Sequence, residues 1–196
     1  QMEMITQLLN EIEKCLQKLN HSCVDHLNPG ISSQQIQELF EKIPLQPTQD
    51  LRALYTWRNG SEDSEGITLG ELAFFPGFYL MSLEESIQTY QELRKTSTWN
   101  QCWFPIFANG GGDFYAMNLA PEAQGQILGI YVFEEEAEVE YRSLKSMLAT
   151  LKACYEQGII FRNEQGYLDM DYRKHAEIAH EINPDLKIWL EFLKET

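Results

Sequence analysis

The run Asn109-Gly110-Gly111-Gly112-Asp113 holds three consecutive glycines, the residue type from which backbone N–H groups can build an anion-holding nest. A phosphate loop needs a following Lys-Ser or Lys-Thr, and here the next residue is a carboxylate, which repels phosphate. A second concentration of ionisable groups is Glu134, Glu135, Glu136, Glu138 and Glu140, which form either a solvated face or a negative field for a basic partner. His21 and His26 lie five apart in a polar stretch and read as surface loop residues, because no carboxylate or cysteine stands at ligand spacing. His175 and His180 are also five apart, off the common face that an i, i+4 metal pair requires. No serine sits in a GxSxG elbow, and Cys15, Cys23, Cys102 and Cys154 form no CxxC pair. The residue types thus announce no catalytic group, metal ligand or cofactor site.

The chain has 196 residues, enough for one sizeable domain, and 43% of them are hydrophobic. Its 30 acidic against 15 basic side chains give a formal net charge of -15, which repels nucleic acid and anionic membranes and favours a basic protein as partner. The scattered cysteines read as reduced, mostly buried thiols. No apolar run approaches the roughly 18 residues a membrane span needs, and the acidic amino terminus is unlike a signal peptide. Cytoplasm is the expected compartment. The sequence specifies no oligomeric state.

Several elements must position these groups. Ile5, Leu8, Leu9, Ile12, Leu16 and Leu19 share one face of an amino-terminal helix, followed by a loop from His21 to Gly30. Ser32 with Gln35 is a capping box for a second helix, and Thr48 caps a third that carries Leu51, Leu54, Tyr55 and Trp57 and stops at Asn59-Gly60. Glu62, Asp63 and Glu65 make a solvated acidic loop. A short strand is expected over 69–75, and Ser82 with Glu85 forms another capping box for a helix with Leu83, Ile87, Tyr90 and Leu93 inside. Trp103 to Leu119 reads as a β-hairpin around the glycines, with Trp57 and Trp103 mostly in the core. The apolar run from Ile127 to Phe133 predicts a central strand buried on both faces, and the glutamates after it alternate with Val139 and Tyr141 like a half-exposed strand. Ser143 caps a Leu-rich helix that Gly158 stops. Two more helices meet at Asn183-Pro184, which reads as the cap and first-turn proline of the last one.

This order, with Trp57-Arg58-Asn59-Gly60 after a helix, Phe104-Pro105-Ile106 leading into Gly110-Gly111-Gly112-Asp113-Phe114-Tyr115, a strand, an acidic segment and a Leu-rich helix, resembles the SUKH superfamily. The founding members are the fungal Smi/Knr regulators of cell-wall glucan synthesis. The resemblance covers residues 31–158 and implies a single α+β domain, with a largely antiparallel sheet flanked by helices. Residues 1–30 then form an extra amino-terminal helix and loop, and 159–196 a helical tail packing on the core. It also implies a non-enzymatic protein, since many bacterial members are immunity proteins that neutralise polymorphic toxins, often nucleases. The family's recurrent positions fall on Asn59, Gly60 and Gly112 as structural residues, and on Asp113 and Tyr115.

Charge and resemblance together lead to an expected partner-binding set of Trp57, Asp113, Tyr115, Glu134, Glu135, Glu136, Glu138 and Glu140, with a basic toxin domain as the expected partner. A regulator or scaffold in cell-envelope biogenesis is the alternative within binding proteins, and a hydrolase with a dispersed site is the alternative outside them.

Overall fold

Ile5, Leu9, Ile12 and Leu16 recur every three or four residues, and α1 (Met2–Lys18) buries all four completely against the rest of the chain. The coordinates are a computed structural model that describes residues 2–62, 64–123 and 125–196; Asp63 of the acidic loop lies outside the described residues. A 3-10 turn (Ser22–His26) leads to β1 (Leu27–Pro29), then α2 (Ser33–Phe40) and α3 (Gln49–Trp57). Both helices begin as their caps dictate. Ser32 accepts from the Gln35 amide while the Gln35 side chain accepts from the Ser32 amide, and Thr48 accepts from the Leu51 amide.

Next come β2 (Arg58–Ser61), the single-turn α4 (Leu69–Leu72), β3 (Ala73–Phe75), β4 (Phe78–Leu80), α5 (Leu83–Leu93), β5 (Trp103–Ala108) and β6 (Phe114–Asn118). After these follow β7 (Ile127–Ile130), β8 (Glu138–Tyr141), α6 (Leu144–Glu156), β9 (Ile160–Arg162), β10 (Leu168–Met170), α7 (Tyr172–Ile182) and α8 (Lys187–Glu195). β3 through β8 form one antiparallel six-stranded meander in sequence order. The fold is therefore α+β, with antiparallel pairs also at β1–β2 and β9–β10.

The two sheet faces differ. Phe104, Phe107, Tyr115, Met117, Ile127 and Tyr141 join the buried faces of α1, α3, α5 and α6 in one core. Phe114 opposite Ile130, and Ala116 opposite Leu128, share the other face, where Trp99 from the segment after α5 packs on Phe114. Pro105, which lacks an N–H, stands beside a bulge that leaves Ile106 as the extra residue of β5.

Several expectations need correction. His21 is buried, and its Nε2 donates to the carbonyl of Ala73 at 2.7 Å, so it ties the turn after α1 to the sheet; burial lowers its pKa. Residues 69–72 are helical, because Thr68 and Glu71 form a capping box; only Ala73–Phe75 are extended. Ser82 caps α5, but the Glu85 carboxylate accepts from the Tyr79 hydroxyl at 2.6 Å instead of closing the box. β7 ends at Ile130 and lies next to the edge strand β8, so the run to Phe133 is no central strand. Asn183 ends α7 rather than starting α8: its Nδ2 donates to the carbonyl of Ala179 and its Oδ1 accepts from the Arg142 amide. The β9–β10 hairpin carries too few residues per strand for any periodicity to mark it.

Candidate functional site

The hairpin between β5 and β6 turns through Gly110 (φ 79°) and Gly112 (φ 102°), backbone conformations that other residues resist. Asn109 organises the turn, its Oδ1 accepting from the amides of Gly111 (2.8 Å) and Asp113 (3.0 Å). The Gly111 N–H, central to any anion nest in this turn, is thus engaged by the protein itself. Asp113 accepts from Asn109 Nδ2 at 2.9 Å through one oxygen and from the Val132 amide at 2.8 Å through the other. Its carboxylate staples the glycine turn to the segment that follows β7.

That segment, residues 131–137, makes a tight turn in which the Glu134 amide donates to the carbonyl of Tyr131. Val132 is 58% exposed and Phe133 99% exposed, so two apolar side chains stand in water at its tip. Glu134, Glu135, Glu136 and Glu138 are exposed beside them. Between this segment, the hairpin and the end of α5 runs a groove of about 870 Å³, with Trp99, Trp103 and Phe114 in its lining and Phe133, Glu134, Glu135 and Glu136 on one wall. Trp99 packs edge-to-face on both Trp103 (5.6 Å) and Phe114 (6.0 Å), and its indole N–H donates to the Trp103 carbonyl, which fixes the ring.

Under the groove, on the core side of the sheet, Glu140 is only 3% exposed, and the expectation of a fifth surface carboxylate is wrong. The cause is a bulge: Leu128 pairs with Val139 and Ile127 with Tyr141, which leaves Glu140 as the extra residue of β8 and turns it inward. Its carboxylate accepts from the hydroxyls of Tyr131 (2.5 Å) and Tyr115 (3.1 Å), which also bond each other at 2.9 Å. Burial pushes the acid from 4.5 up to about 7, against the lowering effect of the two hydroxyls. Gly129 makes the room, because a Cβ there would strike the Glu140 carboxylate and the Tyr131 hydroxyl. Tyr115 is buried as well, with Phe75 and Phe78 edge-on to its ring.

Trp57 lies elsewhere, buried, with its indole N–H donating to Asn10 Oδ1 of α1 at 2.9 Å and its ring edge-on to Phe74. Asn59 and Gly60 are strand residues rather than a simple helix stop. Asn59 Oδ1 accepts from the Leu83 amide at 2.8 Å, its Nδ2 donates to the Glu84 carboxylate, and Gly60 (φ 73°) lies against the backbone of Ser82. They lock the start of α5.

Of the eight expected partner contacts, then, Glu134, Glu135 and Glu136 stand on one exposed segment with Glu138 exposed at the start of β8 beside it, Asp113 anchors that segment, and Trp57, Tyr115 and Glu140 are interior. The sequence reading missed Val132, Phe133, Trp99 and Phe114. The Trp99 to Trp103 spacing and the abrupt change from apolar to acidic after Phe133 were the available signals.

The family model described as SMI1 / KNR4 family (SUKH-1) matches residues 30–150. The chain belongs to that family. No curated protein matches it. The span of the SUKH-1 match contains α5, the β5–β6 hairpin, the 131–137 segment and Glu140, so both the groove and the buried cluster beneath it are parts of the family domain; α1 and the two last helices lie outside the match. Among the described residues of this SUKH-1 chain, no group of three or more His, Cys, Asp or Glu comes together as a metal site would, and no helix is long and apolar enough to cross a membrane.

Proposed function

We propose that this SUKH-1 domain works by binding another protein, and that it is an immunity protein whose partner is a basic toxin domain, a nuclease being the kind of toxin its charge suits best. The single observation that carries this is the groove: fixed aromatic rings, a wholly exposed phenylalanine and three exposed carboxylates side by side. An apolar patch rimmed by charge is the usual form of a protein-binding surface, and its negative sign complements a cleft built to hold phosphates. Occlusion is the mechanism, with Glu134, Glu135 and Glu136 occupying positions that nucleic-acid phosphates would take.

Action by occupancy rather than catalysis is supported by where the perturbed groups lie. Glu140, at about 7, and His175, at about 4, are in the core; the Cys23 and Cys154 thiols, pushed up to about 12 by burial, are buried too.

The test is co-expression with a toxin encoded by a neighbouring gene, reading rescue of growth, together with pull-down from the native cell. Phe133→Ala should leave stability within about 0.5 kcal/mol, because the ring touches little, yet weaken binding by about 2 kcal/mol or more if it anchors the partner. Retention of full rescue by Phe133→Ala combined with Glu134→Gln, Glu135→Gln and Glu136→Gln would sink the assignment of this face. Capture of an envelope-synthesis protein in place of a toxin would move the function to regulation.

A further inference from the structure

We infer that the groove receives arginine side chains from a basic segment of the partner, stacked on Trp103 and Phe114 and bonded to the carboxylates of Glu134, Glu135 and Glu136. This rests on the protein-binding reading of that face and adds the chemistry of the contact. Among the described residues the lining holds three carboxylates and no Lys, Arg or His, so a cation entering it meets walls of one sign. Trp103 and Phe114 are half-buried, and Trp99 between them holds both rings in place, so the aromatic surface is there before any partner arrives. The acidic wall is held at its near end: Asp113 holds the Val132 amide and Glu140 holds the Tyr131 hydroxyl at the start of the 131–137 segment.

A guanidinium suits such a site better than an ammonium does. It is planar and weakly hydrated, so one face can lie on an aromatic ring while its edge donates to carboxylates. Lysine's compact ammonium keeps its water and cannot stack. A purely apolar segment would cover the rings but press the three glutamates out of water without a partner, and a phosphate-bearing ligand would be repelled.

The probes are three synthetic peptides of equal length: alternating arginine and serine, the same with lysine, and the same with citrulline, the uncharged isostere of arginine. Each is titrated into the full-length, nitrogen-15-labelled protein, and the indole N–H signals are followed by NMR. The four tryptophans make this a map, because the Trp57 and Trp189 indoles are bonded to Asn10 and to the Glu140 carbonyl and neither ring lines the groove. The arginine peptide should move the Trp99 and Trp103 signals and leave the other two in place. It should bind about fivefold more tightly than the lysine peptide, and citrulline should not bind measurably. Neutralising Glu134, Glu135 and Glu136 to glutamine should weaken binding about tenfold, whereas the same change at the exposed Glu41, Glu164 and Glu181 should have little effect at physiological salt.

Equal affinity for arginine and lysine, unmoved Trp99 and Trp103 signals, or equal loss in both triple variants would each overturn arginine recognition. A captured partner that depends on Phe133 while arginine peptides fail to reach the groove would overturn this inference and leave the protein-binding reading standing. Arginine peptides seated at Trp103 with no protein partner depending on this face would do the reverse.

Discussion

Glu140 is where alternation misleads most, since Glu138, Val139, Glu140 and Tyr141 would, in a regular strand, put both glutamates in water. One extra residue in β8 reverses that and buries Glu140 and Tyr141 together. The burial has a sign that can be measured. Its acid titrates at about 7 when folded against 4.5 as the ordinary value, so between these limits the unfolded chain ionises first and stability falls as pH rises. Below about pH 4.5 the group is neutral in both states and costs nothing; above about 7 its full penalty, about 3 kcal/mol, is present. Glu140→Gln retains an amide for the two hydroxyls and cannot ionise. Urea unfolding should find it close to wild type at about pH 4 and more stable at about pH 8, by up to about 3 kcal/mol. Asn59 makes the opposite kind of contribution: Asn59→Ala leaves the Leu83 amide without its acceptor and should lower unfolding free energy by about 1–2 kcal/mol. Gly60→Ala should cost more than that, because a Cβ at φ 73° would run into the Ser82 backbone.

Among the elements, the longer helices were legible, whereas the single-turn α4, expected as strand, and the short extended pieces were not. Capping residues at Ser32, Thr48, Ser82 and Ser143 mark helix starts because their oxygens have a local job, satisfying an amide three residues on. The long β5–β6 hairpin shows in sequence for a similar reason, since its turn chemistry is local. What ends β7 at Ile130 is not local: Asp113, on another element, takes the Val132 amide out of the ladder, and Val132 and Phe133 are then turned into solvent despite their strand-like character. The groove wall was therefore hidden in a run that reads as core. If Asp113 is the staple, Asp113→Ala should speed hydrogen exchange at the Val132 amide while leaving that at Tyr115, inside the ladder, unchanged. Equal protection of Val132 in both proteins would show that the turn holds itself.

On the scale of the molecule, the net charge of -15 is a long-range property, and it should appear as kinetics. Association with a basic partner should slow steeply with added salt, and the Glu134, Glu135 and Glu136 triple glutamine variant should flatten that dependence mainly through the association rate, as stopped-flow measurements would read. The sequence made the acidity plain, but which carboxylates face outward together depended on a bulge and a long-range staple. The core also reaches beyond the family's span of 30–150, for Ile5, Leu9, Ile12 and Leu16 of α1 and Trp189 of α8 all belong to it. β8 is an edge strand, and a backbone group in it and another just beyond it are occupied from outside the sheet: the Glu140 carbonyl accepts from the Trp189 indole at 2.7 Å, and the Arg142 amide donates to Asn183. Removing residues 183–196 should leave these groups open and yield protein that self-associates more than the full chain in light scattering. Cutting the gene at the family boundaries would thus release a fragment with an unsealed seam, and any fusion or transplant of the domain has to carry the closing residues with it.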